Sequence, residues 1–188
     1  MGSSRRIFLI GGMLAWASVA HGQTAPAGRH ILTACFSRTG NTSRIAGHIH
    51  DLVGGDRFDI VPATAYPAGY DATVEQARQE RARDYRPPLR ERMVALGDYD
   101  IVLLGHPIWA MTLPPVMSTF LSGHDLSGKV VAPFCTHKGY GRGESTKVIA
   151  ELAPRARLLE GFDVEGEDAA AAGPAVEQWL RGIGIART

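Results

Sequence analysis

His30-Ile31-Leu32-Thr33-Ala34-Cys35-Phe36 runs straight into Ser37-Arg38-Thr39-Gly40-Asn41-Thr42. The first seven residues are almost all apolar and do not alternate, as in a strand covered on both faces. The next six are polar and include a glycine. Beyond them, apolar positions 45, 46, 49, 52 and 53 recur at helical spacing, and Gly54-Gly55 ends the helix. A helix start offers free N–H groups and a partial positive charge, which suits a phosphate. The hydroxyls of Ser37, Thr39 and Thr42 and the Asn41 amide add neutral donors, and Gly40 lets the backbone approach closely. No Lys opens the helix and no G-x-x-x-x-G-K-[ST] is present, which disfavours a nucleoside triphosphate. The same residue types also make an N-capping turn, so the loop alone leaves both readings open.

Working outward, the strand–helix alternation repeats. Further strands are expected at 57–61, 100–104, 129–135 and 157–162. Gly105 and Pro107 are read as stopping the strand at 100–104. Helical pieces are expected at 71–84 and 88–96, separated by Pro87-Pro88, and then after Pro114-Pro115, over 144–153 and from Pro174 to Leu180. Five strands alternating with helices predict an α/β fold, a doubly wound five-stranded parallel sheet in a single domain, residues 30–188. Ligands of such sheets sit beyond the carboxyl ends of the strands. Loops 37–42, 105–115 and 136–143 lie at that edge.

Residues 1–22 read as an address. Arg5-Arg6-Ile7-Phe8-Leu9 leads into an apolar run that ends in small residues, the pattern of an export signal of twin-arginine type. The expected location is outside the cytoplasm, in a bacterial periplasm. The apolar run is shorter than the roughly 20 residues of a spanning helix, so no stable membrane anchor is expected. Residues 23–29 read as a linker. Without residues 1–22 the chain has 18 basic and 19 acidic residues, a net of −1. That balance gives no electrostatic footprint for nucleic acid.

Three loops together carry a resemblance. Phe36-Ser37-Arg38-Thr39-Gly40-Asn41-Thr42, Leu104-Gly105-His106-Pro107-Ile108-Trp109 and Pro133-Phe134-Cys135-Thr136-His137 with the glycines that follow resemble the three flavin-binding loops of the flavodoxin family. The likeness spans about residues 30–182. It implies strand order 2-1-3-4-5 and an FMN cofactor. Ser37, Thr39, Asn41 and Thr42 would hold the phosphate, with Gly40 at the turn. Pro107, Ile108 and Trp109 would line the flavin ring, with Trp109 offering a broad stacking face. Thr136, His137 and Gly139 would approach its far edge; His106 is set near that edge by its place in the loop, or is a loop histidine with no role. The implied function is electron transfer outside the cytoplasm, with a redox protein or a small quinone-like acceptor as partner. The alternatives are an NAD(P)H-dependent quinone or azo reductase and a flavin-free module that kept the fold.

One departure stands out. Relatives often continue after the first Trp with a second Trp and a Gly, where this chain has Ala110-Met111. Without that Gly, a positive-φ peptide beside the ring should be hard to reach, which leads to the expectation of two-electron chemistry.

Other residues carry less. His48 and His50 are two apart on a helix, so they point apart and suggest no metal pair. The arginines between Arg78 and Arg92 read as a solvated helical face, or else a docking patch for a redox partner. Cys35 and Cys135 end strands that the implied order separates by a third, about 9–10 Å apart, so free thiols are expected.

Overall fold

The computed structural model describes residues 29–93 and 95–186. The expected export signal at 1–22 and all but the last residue of the linker lie outside the described residues. Among them the elements run β1 (Ile31–Cys35), α1 (Asn41–Val53), β2 (Asp56–Asp59), α2 (Tyr70–Ala82), β3 (Ile101–Pro107), α3 (Pro115–Ser122), β4 (Val130–His137), α4 (Ser145–Leu152), β5 (Arg157–Leu158), β6 (Phe162–Glu165) and α5 (Gly173–Gly182). The sheet is parallel, with order β2-β1-β3-β4-β5, and β6 also pairs with β4.

Each strand splits its side chains between two cores. Leu32 and Ala34 of β1 and Val102 and Leu104 of β3 join Val74, Val116, Phe120 and Ile149 from α2, α3 and α4. Cys35 and then Ile101 and Leu103 join Ile45 and Ile49 of α1 and Val176 and Leu180 of α5 on the other face. This is why the strands read as unbroken apolar runs: both faces are covered.

Three sequence expectations need correction. Gly105 does not stop β3 but lies within it. A Cβ there would overlap the Phe134 ring and come within 3.1 Å of Cys35 Sγ, so the glycine serves close packing. The expected fifth strand at 157–162 is two short strands. Arg157–Leu158 pairs with Val130–Val131, and Phe162–Glu165 pairs with Phe134–His137. Between them β4 carries Pro133, which has no N–H to give the ladder. Residues 88–93 and 95, the described part before the turn at Leu96, do not form a helix. Leu89 instead bridges Pro62 in an antiparallel strap, with Ala63 N–H donating to Pro88 at 2.8 Å and Arg90 N–H to Val61 at 2.8 Å. A 3₁₀ turn follows at Leu96–Asp98.

Cys35 and Cys135 are free and buried. Cys35 packs on the α1/α5 face with Phe134. Cys135 follows Phe134 directly and so points to the opposite face. Desolvation pushes the Cys135 thiol up to about 12 and raises Cys35 as well, so both are unreactive thiols at neutral pH.

Candidate functional site

The carboxyl ends of β1, β3 and β4 open onto a cleft of about 630 Å³. Its floor begins in loop 36–40. Gly40 has φ 91°, a left-handed conformation that glycine reaches without strain. Its N–H donates to Ser37 Oγ at 3.1 Å, which closes the loop. The chain then enters α1 with no side-chain cap and no acidic residue in the first turn. The free N–H groups and partial positive charge of a 13-residue helix are therefore left for an anion.

Thr39, Asn41 and Thr42 line the cleft. Thr42 Oγ1 lies 2.8 Å from Thr136 Oγ1, a buried hydroxyl pair that ties the loop to the end of β4. Asn41 Oδ1 accepts from Arg44 Nη1 at 2.9 Å, which orients its amide nitrogen as the free donor. The segment after β6 closes in on the same amide: a Cβ on Gly166 would stand 2.6 Å from Asn41 Nδ2.

Pro107, Ile108, Trp109, Thr136 and His137 form the facing wall. Ile108 N–H donates to Thr136 at 2.8 Å, continuing the β3–β4 pairing into the site. Trp109 is 3 % exposed. It packs edge-on against Phe36, at 5.4 Å and 86°, and against Tyr66, at 4.8 Å and 77°. It reaches the cleft with a margin of its surface, less than the broad stacking face read from the sequence. Tyr66 is anchored in turn by donating to Glu80 at 2.7 Å.

His137 Nδ1 accepts from Gly139 N–H at 3.0 Å, and Nε2 faces Asp163 Oδ2 at 3.2 Å. Asp163 also accepts from Arg142 Nε at 2.6 Å, and Arg142 Nη1 reaches Glu160 at 2.8 Å. The Glu160 carboxylate, with help from Asp163, raises the Arg142 pKa. Both ring nitrogens of His137 are thus engaged, which ties loop 138–143 to β6. Ser37, Gly40 and Gly139 act through loop closure and do not line the cleft.

His106 is corrected. It is fully buried in β3, away from the cleft. Desolvation lowers its pKa to about 4, partly offset by a hydrogen bond with the Pro107 carbonyl at 3.2 Å. Its Nε2 has no partner.

Sequence reasoning missed Arg38, Arg44, Tyr70, Lys138, Glu165, Gly166, Glu167 and Ala170, all of which line the cleft. Lys138 Nζ sits 4.6 Å over the Tyr70 ring. Arg38 was visible within the quoted loop. The 165–170 wall depends on β6, which the sequence pattern did not separate.

The premise that positive φ is hard to reach at Ala110-Met111 also fails. Both residues occupy positive φ, at 48° and 65°. Trp109 N–H donates to Thr112 at 2.8 Å and Thr112 N–H to Trp109 at 3.3 Å, closing a two-residue turn with the left-handed φ of a type I′ hairpin. The conformation costs about 1–2 kcal/mol per residue with a Cβ, and the surroundings impose it.

The model of the flavodoxin family matches residues 30–182. A protein from Bacteroides eggerthii assigned as a flavoprotein is 32 % identical, covering 84 % of this chain and 99 % of its own, with a TM-score of 0.72. A counterpart from Bacteroides uniformis is 29 % identical, covering 82 % and 99 %, with a TM-score of 0.73. A flavoprotein in complex with FMN from Lactobacillus acidophilus shares the fold at 18 % identity, covering 77 % and 98 %, with a TM-score of 0.65. Among curated proteins none matches. With its sheet order, its three strand-end loops and a family match over nearly all of its described length, the chain belongs to the flavodoxin family.

Proposed function

We propose that the cleft binds FMN and that the protein moves electrons outside the cytoplasm. One observation carries this reading: the uncapped start of α1, with Thr39, Asn41 and Thr42, opens into the same cleft as Pro107, Ile108 and Trp109. An anion site beside an apolar wall suits a phosphate joined to a flat ring. When bound, the isoalloxazine ring supplies the redox chemistry. The protein's part is to hold and orient. The N–H groups at the start of α1 and the Thr39 and Asn41 side chains receive the phosphate. Thr42, paired to Thr136, keeps the loop at a set distance from β4. Ile108 and the edge of Trp109 exclude water from the ring's surroundings. Arg38, Arg44 and Lys138 add positive charge around the cleft, balanced in part by Glu165 and Glu167.

Flavin-fluorescence titration tests the reading. Native protein should bind about one FMN, and Thr39→Ala/Asn41→Ala should weaken binding by at least about tenfold, since charge-assisted hydrogen bonds contribute roughly 1.5–3 kcal/mol each. Unchanged affinity would remove the phosphate-loop assignment. Export is proposed on Arg5-Arg6. Arg5→Lys/Arg6→Lys should retain the protein in the cytoplasm, and normal export of that variant would point to a general secretory signal.

A second reading has one observation in its favour. A hollow of about 500 Å³, bounded by Tyr70, Val74, Ile108, Ala110, Met111 and Tyr140 among others, shares Tyr70 and Ile108 with the cleft. It gives a small substrate room beside the cofactor, as an NAD(P)H-dependent quinone reductase needs. Steady turnover of NAD(P)H with a quinone would establish this activity, and its absence would favour the carrier.

A further inference from the structure

The turn 109–112 is not held by its own sequence. Neither Ala110 nor Met111 favours the left-handed region they occupy. Two hydrogen bonds from outside the turn hold its flanks. Arg81 Nη2, from α2, donates to the Trp109 carbonyl at 3.0 Å. Glu144 N–H, at the entry to α4, donates to the Met111 carbonyl at 2.8 Å. Gly143 lets that second contact form. A Cβ on Gly143 would overlap the Met111 carbonyl oxygen and stand 2.6 Å from its carbon, and Gly143 itself has φ 51°. The obstructing atoms are backbone, so no change of side-chain conformation relieves the clash.

With the Trp109 and Met111 carbonyls engaged, the peptide between Ala110 and Met111 keeps both its polar groups without a partner among the described residues, as do the Ala110 N–H and Thr112 Oγ1. Ala110 and Met111 line the second hollow, which adjoins the cleft through the shared Tyr70 and Ile108. We propose that Gly143 and the Glu144 N–H form a backbone clamp on Met111, and that this clamp positions the Ala110–Met111 peptide toward whatever occupies the cleft. Gly143 is therefore a positioning residue, acting from a different loop on the wall formed by β3. The inference about the cleft's occupant rests on the FMN reading; the clamp itself does not.

Two variants remove the clamp in different ways. Gly143→Ala adds the colliding Cβ. Glu144→Pro deletes the donating N–H and puts the ring Cδ in the hydrogen's place, so it expels the Met111 carbonyl from the residue 144 side of the clamp. Residue 144 has φ −84° at the start of α4, within reach of proline. Glu144→Ala is the control, because it keeps the N–H and removes only the side chain. In ligand-free native protein, the Glu144 amide should exchange at least about tenfold more slowly than a solvated loop amide. In FMN-loaded protein, Gly143→Ala and Glu144→Pro should each shift the oxidised–reduced balance of the flavin by about tenfold, or about 30 mV for two electrons. Glu144→Ala should leave the potential unchanged. If Gly143→Ala fails to fold, Glu144→Pro alone decides. Fast exchange at Glu144 would overturn the clamp. Slow exchange with unshifted potentials in both variants would overturn its positioning role. Slow exchange in a protein that takes up no FMN would overturn the FMN reading and leave the clamp standing.

Discussion

The loop at 37–42 and the turn at 109–112 both need left-handed backbone at the cleft, and they obtain it in opposite ways. The first places Gly40 where φ is 91°, in open space, so the residue itself meets the conformational need. The second places Ala110 and Met111 at 48° and 65°, and contacts from α2 and from residues 143–144 hold them there. One loop is encoded locally. The other is encoded by tertiary contacts and stores strain of about 1–2 kcal/mol per residue. Only the first could be read from its own residues.

The comparison extends beneath the loops, where Cys35 ends β1 and His106 leads into the second wall. Both are buried, but only His106 titrates in a useful range. Its folded pKa of about 4 lies below the ordinary 6.5, so the unfolded chain binds more protons between those values. Stability from this group is therefore full above about pH 6.5 and is lost as pH falls toward about 4. The loss should reach about 3 kcal/mol. Urea unfolding of native protein and His106→Gln at pH 7 and pH 4.5 should show a smaller acid loss in the variant. Equal losses would mean that His106 is hydrated in the folded state.

Smaller effects should separate the two loops directly. Gly40→Ala should destabilise by about 1–2 kcal/mol, because a Cβ is strained at that φ although space is available. Met111→Gly should stabilise by up to about 1 kcal/mol, since relief of strain exceeds the added chain entropy. Thermal unfolding of the pair checks the contrast. Two losses of similar size would show that Met111 is not strained.

Most of the architecture was legible because periodicity reports burial. The apolar runs of β1, β3 and β4 and the spacing of α1 led to a doubly wound parallel sheet, and the flavodoxin resemblance supplied its strand order. The misreadings have separate physical causes. Gly105 looked like a strand end but makes room for Phe134 and Cys35. The break between β5 and β6 reflects Pro133 on the neighbouring strand, which a reading of residues 157–162 alone does not consult. The strap at 88–90 pairs with residues 61–63 across a long sequence separation, and its prolines were read as helix punctuation. In the site, eight of the eleven expected residues line the cleft. The basic run between Arg78 and Arg92 proved not to be one face. Arg81 supports Trp109 and Arg92 reaches Gly123, so at least two of its members have structural partners.

The central claim is that the uncapped start of α1 receives a phosphate. Parallel titration of the ligand-free protein with FMN and with riboflavin isolates that group, since the two ligands share the ring. The account predicts that FMN binds at least about tenfold more tightly, a difference of about 1.4 kcal/mol. Equal affinities would contradict it.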